Sequence, residues 1–487
     1  MRIKTHPFVS RLISLLFISL IVFVQSCTKS APNNNSSSAI TGFSFLSSVN
    51  PIPVNATASI NGTNISLFLP PGTNPNALIA NFTLSDSNAI VRVNGITQES
   101  GKTETNFSTP VSYEVTAPGG FTQNYTVSLT TDISSIDQNV TAFMNTYNVP
   151  GLSIAITLNE KLVYAKGYGL ADVGNNKPVG TQNLFRTAAL SQQITSVAFM
   201  RLLDQGKVNL SDKVFGPGAI LGTEFGTLPY GPGITDITVG ELLHHTEGGW
   251  ANDSTDPMMV YPNLSAQQLI TWTLDNRPLV SAPGKSFIYS NFGYCILGRV
   301  IEKITGSTYA QAVQSLVFQP CGITDMQIAG NTTADRLPNE VFYYGQSGEN
   351  PYGFNITRMD AHSGWLATAT DMARFLVHVD GVSAETILSQ NALSVMTTGS
   401  VAKPNYACGW LLDGSTWYHP GGLPGSGTAQ SRSVQYGNFN VVILTNTRSL
   451  DPNFDHDKNQ VIWSSIMGTL SWPNYDLFQS ATAQLNK

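Results

Sequence analysis

The chain has 487 residues, of which 41% are hydrophobic and only 11% charged, with a mean hydropathy of −0.01. That apolar share builds real cores and excludes wholesale disorder, and the length suits two or three domains. The net charge is −6 and no Lys/Arg stripe is present, so nucleic-acid binding has no electrostatic footprint.

The N-terminus reads as a targeting segment. Arg2, Lys4 and Arg11 precede a 13-residue apolar run from Leu12 to Val24, which ends in Val24-Gln25-Ser26-Cys27. A run that short is a signal-peptide core, because a spanning helix needs about 18 apolar residues. The ending resembles a bacterial lipobox, which implies cleavage after residue 26 and lipidation of Cys27. Residue 28 is Thr and not Asp, and by resemblance to enterobacterial sorting that directs the anchor to the outer membrane. Loss of the leader leaves 22 basic against 31 acidic residues, a charge of about −9. Residues 27–39, with Asn33-Asn34-Asn35-Ser36-Ser37-Ser38 at their centre, read as a polar tether.

Residues 40–131 read as all β. Alternation at Ile65-Leu67-Leu69, Leu78-Ala80-Phe82-Leu84, Val111-Tyr113-Val115 and Tyr125-Val127-Leu129 predicts strands, with turns at Asn61-Gly62 and Pro118-Gly119-Gly120. The stretch from Phe107 to Ala117 resembles immunoglobulin-like modules of bacterial surface lipoproteins. A spacer or adhesive role is expected, and the partner of this sandwich is unknown.

Residues 132–487 change period. A helix is expected up to Asn148, then a hairpin of Ser153–Leu158 and Leu162–Gly169 around Asn159-Glu160. An amphipathic helix follows from Leu190, with Ile194, Val197, Ala198 and Leu202 on one face, and another runs from Asn291 to a stop at Gly306. Strands are expected at Cys408–Leu412, Ala429–Val434 and Phe439–Thr445, and a helix at Val461–Leu470. Two strands, a helical insert, three strands and a helix describe an α/β fold: a mostly antiparallel sheet flanked by helices.

Three segments bear on chemistry: Phe185-Arg186-Thr187-Ala188-Ala189-Leu190-Ser191-Gln192, Tyr289-Ser290-Asn291, and His419-Pro420-Gly421-Gly422. With Leu242-Leu243-His244-His245-Thr246 and the stretch from Gly364 to Phe375, they resemble the class C-like branch of the serine β-lactamase, penicillin-binding and esterase superfamily. The resemblance implies acyl transfer without a cofactor: a Ser attacks a carbonyl, a Lys three residues on keeps it deprotonatable, and a Tyr shuttles the proton. It also implies an edge strand that completes an oxyanion hole. The ligands it implies are a peptidoglycan peptide, a β-lactam or an ester-like small molecule. Tyr289, Asn291, His419 and Gly421 match. The nucleophile position is Ala189 and the lysine position Gln192, so neither half of the nucleophile–base pair is present.

Two classes of function therefore stand open. One is a lipid-anchored non-hydrolytic protein that binds a ligand or acts as a scaffold; the other is a serine hydrolase with a non-standard nucleophile. Ser191 lies about 200° round the helix from Ala189 and is expected to face away. Ser400 to Lys403 is a Ser-x-x-Lys without a helix to hold it. Tyr289 and Asn291 serve a ligand or merely pack and cap their helix. His419 and the glycines after it are expected to serve a tight strand entry, because Gly tolerates backbone angles that other residues do not. Adjacent His244 and His245 diverge on a helix and are not expected to hold a metal. Cys295, Cys321 and Cys408 are expected to be buried and free, none with a His or a basic residue beside it in sequence.

Overall fold

The computed structural model describes residues 37–130, 134–435, 437–469 and 471–479. The expected signal peptide, Cys27 and most of the tether lie outside them.

Residues 40–130 form two sheets of four and six strands. Strands at Asn64–Phe68, Leu78–Leu84, Val111–Thr116 and Thr122–Thr130 fall where alternation placed them. Ile40–Phe45 and Ile90–Val93 add pairings with them. Every second residue points inward, and Phe43, Phe45, Phe107 and Tyr113 meet in the middle. The Phe43 and Tyr113 rings stand edge to face at 5.3 Å.

The second module begins with α1 (Ser134–Thr146). A hairpin of β1 (Gly151–Leu158) and β2 (Lys161–Asp172) follows, its turn residues Asn159 and Glu160 both at positive φ. The central helices used below are α2 (Leu190–Asp204), α3 (Asn291–Thr305) and α4 (Ala369–Val379). The chain closes with β3 (Leu411–Asp413), β4 (Thr416–Leu423), β5 (Ser426–Ser433), β6 (Phe439–Thr445) and α5 (Phe454–Gly468). From β2 inward the antiparallel order is β2-β1-β6-β5-β4-β3. The first hairpin therefore pairs with the last strand, Leu152 opposite Thr445 through Leu158 opposite Phe439. Everything between Val173 and Trp410 is an insert anchored at both ends in one sheet.

One face of the sheet packs under α1 and α5 through Ile154, Ile156, Val441, Ile443, Val461 and Ile462. The other packs against α2 and α4 in a larger core. Two expectations are corrected here. Four strands close the chain, not three: β4 escaped the alternation pattern because Pro420-Gly421-Gly422 interrupts it. Helix α2 is not amphipathic either. Ser191, Gln192, Gln193, Thr195 and Ser196 are as buried as its apolar residues, because the helix runs through the middle of the module.

The sandwich and the larger module hold separate hydrophobic clusters. Expressed separately, residues 40–131 and 132–487 should each unfold cooperatively in urea. A molten larger piece would show that the sandwich completes its core.

Candidate active-site cleft

Phe185 and Arg186 pair with Leu366 and Ala367, which delivers the chain to the start of α2. Ala188 there adopts φ 49°, a left-handed conformation that costs a non-glycine residue about 1–2 kcal/mol. Thr187 holds the bend: its amide donates to Trp365 O, and its carbonyl accepts from Thr428 Oγ1 at 3.0 Å. Ala189 follows as N-cap without a side-chain capping bond, and its N–H has no partner among the described residues. Such an unpartnered amide at a helix start is a ready donor for an oxygen in the cleft.

Strand β4 passes alongside. A Cβ on Gly421 would run into Thr428 Oγ1 and lie 3.1 Å from the Ala189 nitrogen. The glycine is needed for close approach, not for an unusual backbone angle, which corrects the sequence-based reason for it. On its outer side β4 is paired only at Thr416–Tyr418, through β3, so the segment 419–423 is a free edge facing the cleft.

Gln192 is fully buried and sits at the hub. Its Nε2 donates to Asn291 Oδ1 at 3.4 Å, and its Oε1 lies 3.3 Å from His245 Nε2 and 3.4 Å from Tyr406 Oη. Asn291 Nδ2 donates in turn to buried Asp256 at 2.8 Å. Ser290, not Asn291, caps α3, so the cap reading of Asn291 is corrected: both ends of its amide bond across the site.

The two imidazoles have defined tautomers. His245 Nδ1 accepts from the Ser290 N–H at 3.1 Å, which puts its proton on Nε2, 3.0 Å from Tyr406 Oη. His419 Nδ1 faces Pro420 O at 2.5 Å and carries the proton, leaving Nε2 to accept from Tyr406 at 3.3 Å. Burial lowers both, His419 to about 4 and His245 well below its ordinary value, so both are neutral at pH 7. Burial likewise pushes the Tyr289 phenol above its usual range, and the Gln192 amide beside it offers no positive charge to bring it down.

Tyr406 lines one cleft of about 520 Å³, together with Phe287, Ser363, Lys403, Arg448 and Asp455. Ala189, Tyr289, Asn291, His419 and Gly421 all lie on its wall, while Gln192 stands behind it. Ser191 does not line it, and bonds Thr187 Oγ1 at 2.8 Å instead. Ser400 accepts from the Lys403 N–H in a loop, and only Lys403 reaches the cleft. Sequence reasoning missed Tyr406, Asp256 and the part His245 plays. It also missed that His244 Nε2 approaches the Cys408 sulfur at 3.7 Å. Cys295, Cys321 and Cys408 are free and buried, and no metal-binding cluster occurs among the described residues.

Ser363 is the one serine on the cleft wall, and its Oγ lies 2.7 Å from His362 Nδ1. Burial, and then Arg358, hold His362 down to about 3, so it is a weak base at neutral pH.

Residues 136–462, two thirds of the chain, match the sequence profile of the family described as Beta-lactamase. The chain belongs to the β-lactamase family. Residues 40–129 match a second family, described as "SGBP, N-terminal". Penicillin-binding protein 4* of Bacillus subtilis is 24% identical over 315 residues, covering 56% of this chain and 63% of that protein. The chain thus spans less than two thirds of that relative's length. The fold is shared with an octameric penicillin-binding protein homologue from Pyrococcus abyssi (22% identity, TM-score 0.57, 72% of this chain and 79% of that one). It is shared equally with a D-amino acid amidase from Ochrobactrum anthropi SV3 (22% identity, TM-score 0.57, 69% and 97%).

The buried neutral state of His419 gives a signed prediction. An unfolded His takes up a proton near pH 6.5, whereas His419 resists until about 4. Between those values the unfolded state binds the extra proton and gains stability as pH falls. The stability advantage of the parent over His419→Gln should therefore shrink by about 1.4 kcal/mol per pH unit from pH 6.5 to 4. Urea titrations of both proteins across this range measure it, and a pH-independent difference would mean that His419 is solvated.

Proposed function

We propose that this is a lipid-anchored cell-envelope protein whose β-lactamase-like cleft binds a carbonyl- or carboxylate-bearing ligand without hydrolysing it. The single observation that carries the reading is the pair Ala189 and Gln192. A methyl group has no lone pair with which to attack, and an amide neither carries the cation nor takes the proton. Removing such a unit in serine hydrolases costs about 10⁶ in kcat. The Ala189 N–H and the free edge of β4 still offer donors to a carbonyl oxygen. Lys403 on the wall favours an acidic ligand, such as a peptidoglycan-peptide terminus or a β-lactam carboxylate, whereas Arg448 is paired with Asp455 at 2.9 Å; an ester-like molecule would use the carbonyl contacts alone.

Intact-protein mass spectrometry after incubation with a reactive penicillin or ester tests this. The parent should carry no adduct, and Ala189→Ser alone should gain little. Ala189→Ser with Gln192→Lys should become acylated, because nucleophile and base return together. A stable adduct on the unmutated protein would overturn the reading. The Ser363–His362 hydrogen bond favours a second reading, a hydrolase with a displaced nucleophile. An adduct mapped to Ser363 would promote it.

The anchor rests on the short apolar run that ends at Cys27. Mass spectrometry of the mature N-terminus should find residue 27 first and lipidated, in a protein that fractionates with the outer membrane. An unmodified Cys27, or cleavage elsewhere, would sink this part of the proposal.

A further inference from the structure

His244 ends the short helix Val239–Leu243 as its C-cap, and both nitrogens of its ring face backbone carbonyls. Nδ1 lies 2.7 Å from Gly240 O, one turn back, and Nε2 lies 3.0 Å from Thr398 O, 154 residues on. A carbonyl oxygen can only accept, so each ring nitrogen must donate. A neutral imidazole has a single N–H and would turn a lone pair on one of these oxygens, whereas the imidazolium satisfies both. The Cys408 sulfur, 3.7 Å from Nε2, fits the same state, because its own S–H donates to Val395 O at 4.0 Å. Burial opposes the charge, but Cys408 and the two carbonyls outweigh it, and His244 is raised to about 9. Of the other titratable groups nearby, His245 is neutral, and Glu241 is engaged with Thr238 at the start of the helix.

Thr398 belongs to the segment 397–405, which carries Lys403 to the cleft. Among the described residues, the segment's other hydrogen bonds run back to Leu393, Ser394 and Val395, within itself, or on to Tyr406 and Leu412. His244 is therefore its hydrogen-bonded hold on the first half of the module. Beyond that bond the segment projects outward at the exposed Val401, and Lys403 Nζ comes to lie 5.8 Å from the centre of the Phe287 ring.

We propose that His244 is a cationic clasp, which holds segment 397–405 against the helix Val239–Leu243 and so keeps Lys403 presented to the cleft. His244 is thus a positioning residue that acts through Lys403. Its effect on a ligand rests on the reading of the cleft as a binding site; the charge and the clasp do not. A hydrogen bond from a charged donor is roughly twice as strong as a neutral one, which suits a segment with few other holds. The clasp is complete at neutral pH and loses one of its two N–H donors as pH rises through about 9.

NMR of the full chain with ring-15N-labelled histidine tests the charge, the His244 signals being assigned by their loss in His244→Gln. At pH 7 both nitrogens should carry a proton, and one should lose it with a midpoint of about 9. A neutral ring at pH 7 overturns the proposal, and this measurement needs no variant that frees the segment. Hydrogen exchange followed by mass spectrometry tests the clasp. His244→Asn sets an amide near the place of Nδ1 and gives up Thr398, whereas His244→Gln reaches the place of Nε2 and keeps it. Amides of 397–405 should exchange at least about tenfold faster in the Asn variant and near the parent rate in the Gln variant. Equal exchange in all three proteins overturns the clasp. Benzylpenicillin is the carboxylate probe for the cleft. It should bind His244→Asn at least about threefold more weakly than the parent, and His244→Asn should add nothing once Lys403→Met is present. Binding unchanged by His244→Asn overturns the positioning role. If the parent binds no benzylpenicillin, the binding-cleft reading fails, while NMR and exchange still decide the clasp.

Discussion

The burial of α2 is the constraint on which the rest of the larger module depends. In a helix enclosed on every side, a polar side chain left facing apolar surface costs free energy, so most of them are answered by another element. Thr195 is met by Tyr309 Oη and by Ala361 O, each at 2.6 Å, and Ser196 by Tyr294 at 3.2 Å. Gln193 accepts through its Oε1 from Gln430 of β5 while its Nε2 has no partner among the described residues, and Gln192 is met by Asn291 and His245. These partners come from α3, from the insert and from the closing strands, so satisfying one helix draws segments more than 200 residues apart into register. The cleft is the place where that enclosure stops, at the unpartnered Ala189 amide.

How much of this was legible in the sequence depended on whether a feature is local. Tyr289-x-Asn291 and His419-x-Gly421 are short spacings, and they identified the family's segments before any fold was known. The sandwich strands at Leu78–Leu84 and Val111–Thr116 declared themselves by alternation, because one face of each is solvated. Tyr406 lies 161 residues from His245 and 214 from Gln192, and no local pattern marks a residue whose partners are that remote. The buried polar face of α2 was hidden for a related reason. Sequence period assigns polar residues to solvent, and only the tertiary structure says that partners await them indoors.

The left-handed residue at 188 shows which features the packing holds in place. Strain at such a position persists when its surroundings over-determine it. Here the Thr187 amide is tied to Trp365 O, the Thr187 carbonyl to Thr428, and the Ser191 amide to Ala188 O. Relaxing Ala188 would break these bonds and pull the helix start away from Gly421. The bend is therefore maintained by the sheet and the helix together, whatever side chain residue 189 carries.

Positions 189 and 192 are chemically one unit, because a nucleophile and its base are useful only together. A lysine at 192 would be a fully buried cation, and desolvating it costs several kcal/mol unless a charge partner faces it. Asp256 is the buried carboxylate of this network, and its bond runs to Asn291. Once residue 189 offers nothing to activate, such a cation would be a burden without a task. An amide of similar length offers both a donor and an acceptor, and Asn291 and His245 answer them. The Gln192 hub thus adds no charge of its own to a network that already holds the Asp256 carboxylate. The Ala189 N–H and the bare edge of β4 remain open to the cleft, so a ligand would meet backbone donors and a wall bearing Lys403 beside the Arg448–Asp455 ion pair. Under the proposed reading, that surface would hold an oxygen-bearing ligand in place, with only a methyl group at position 189 facing it.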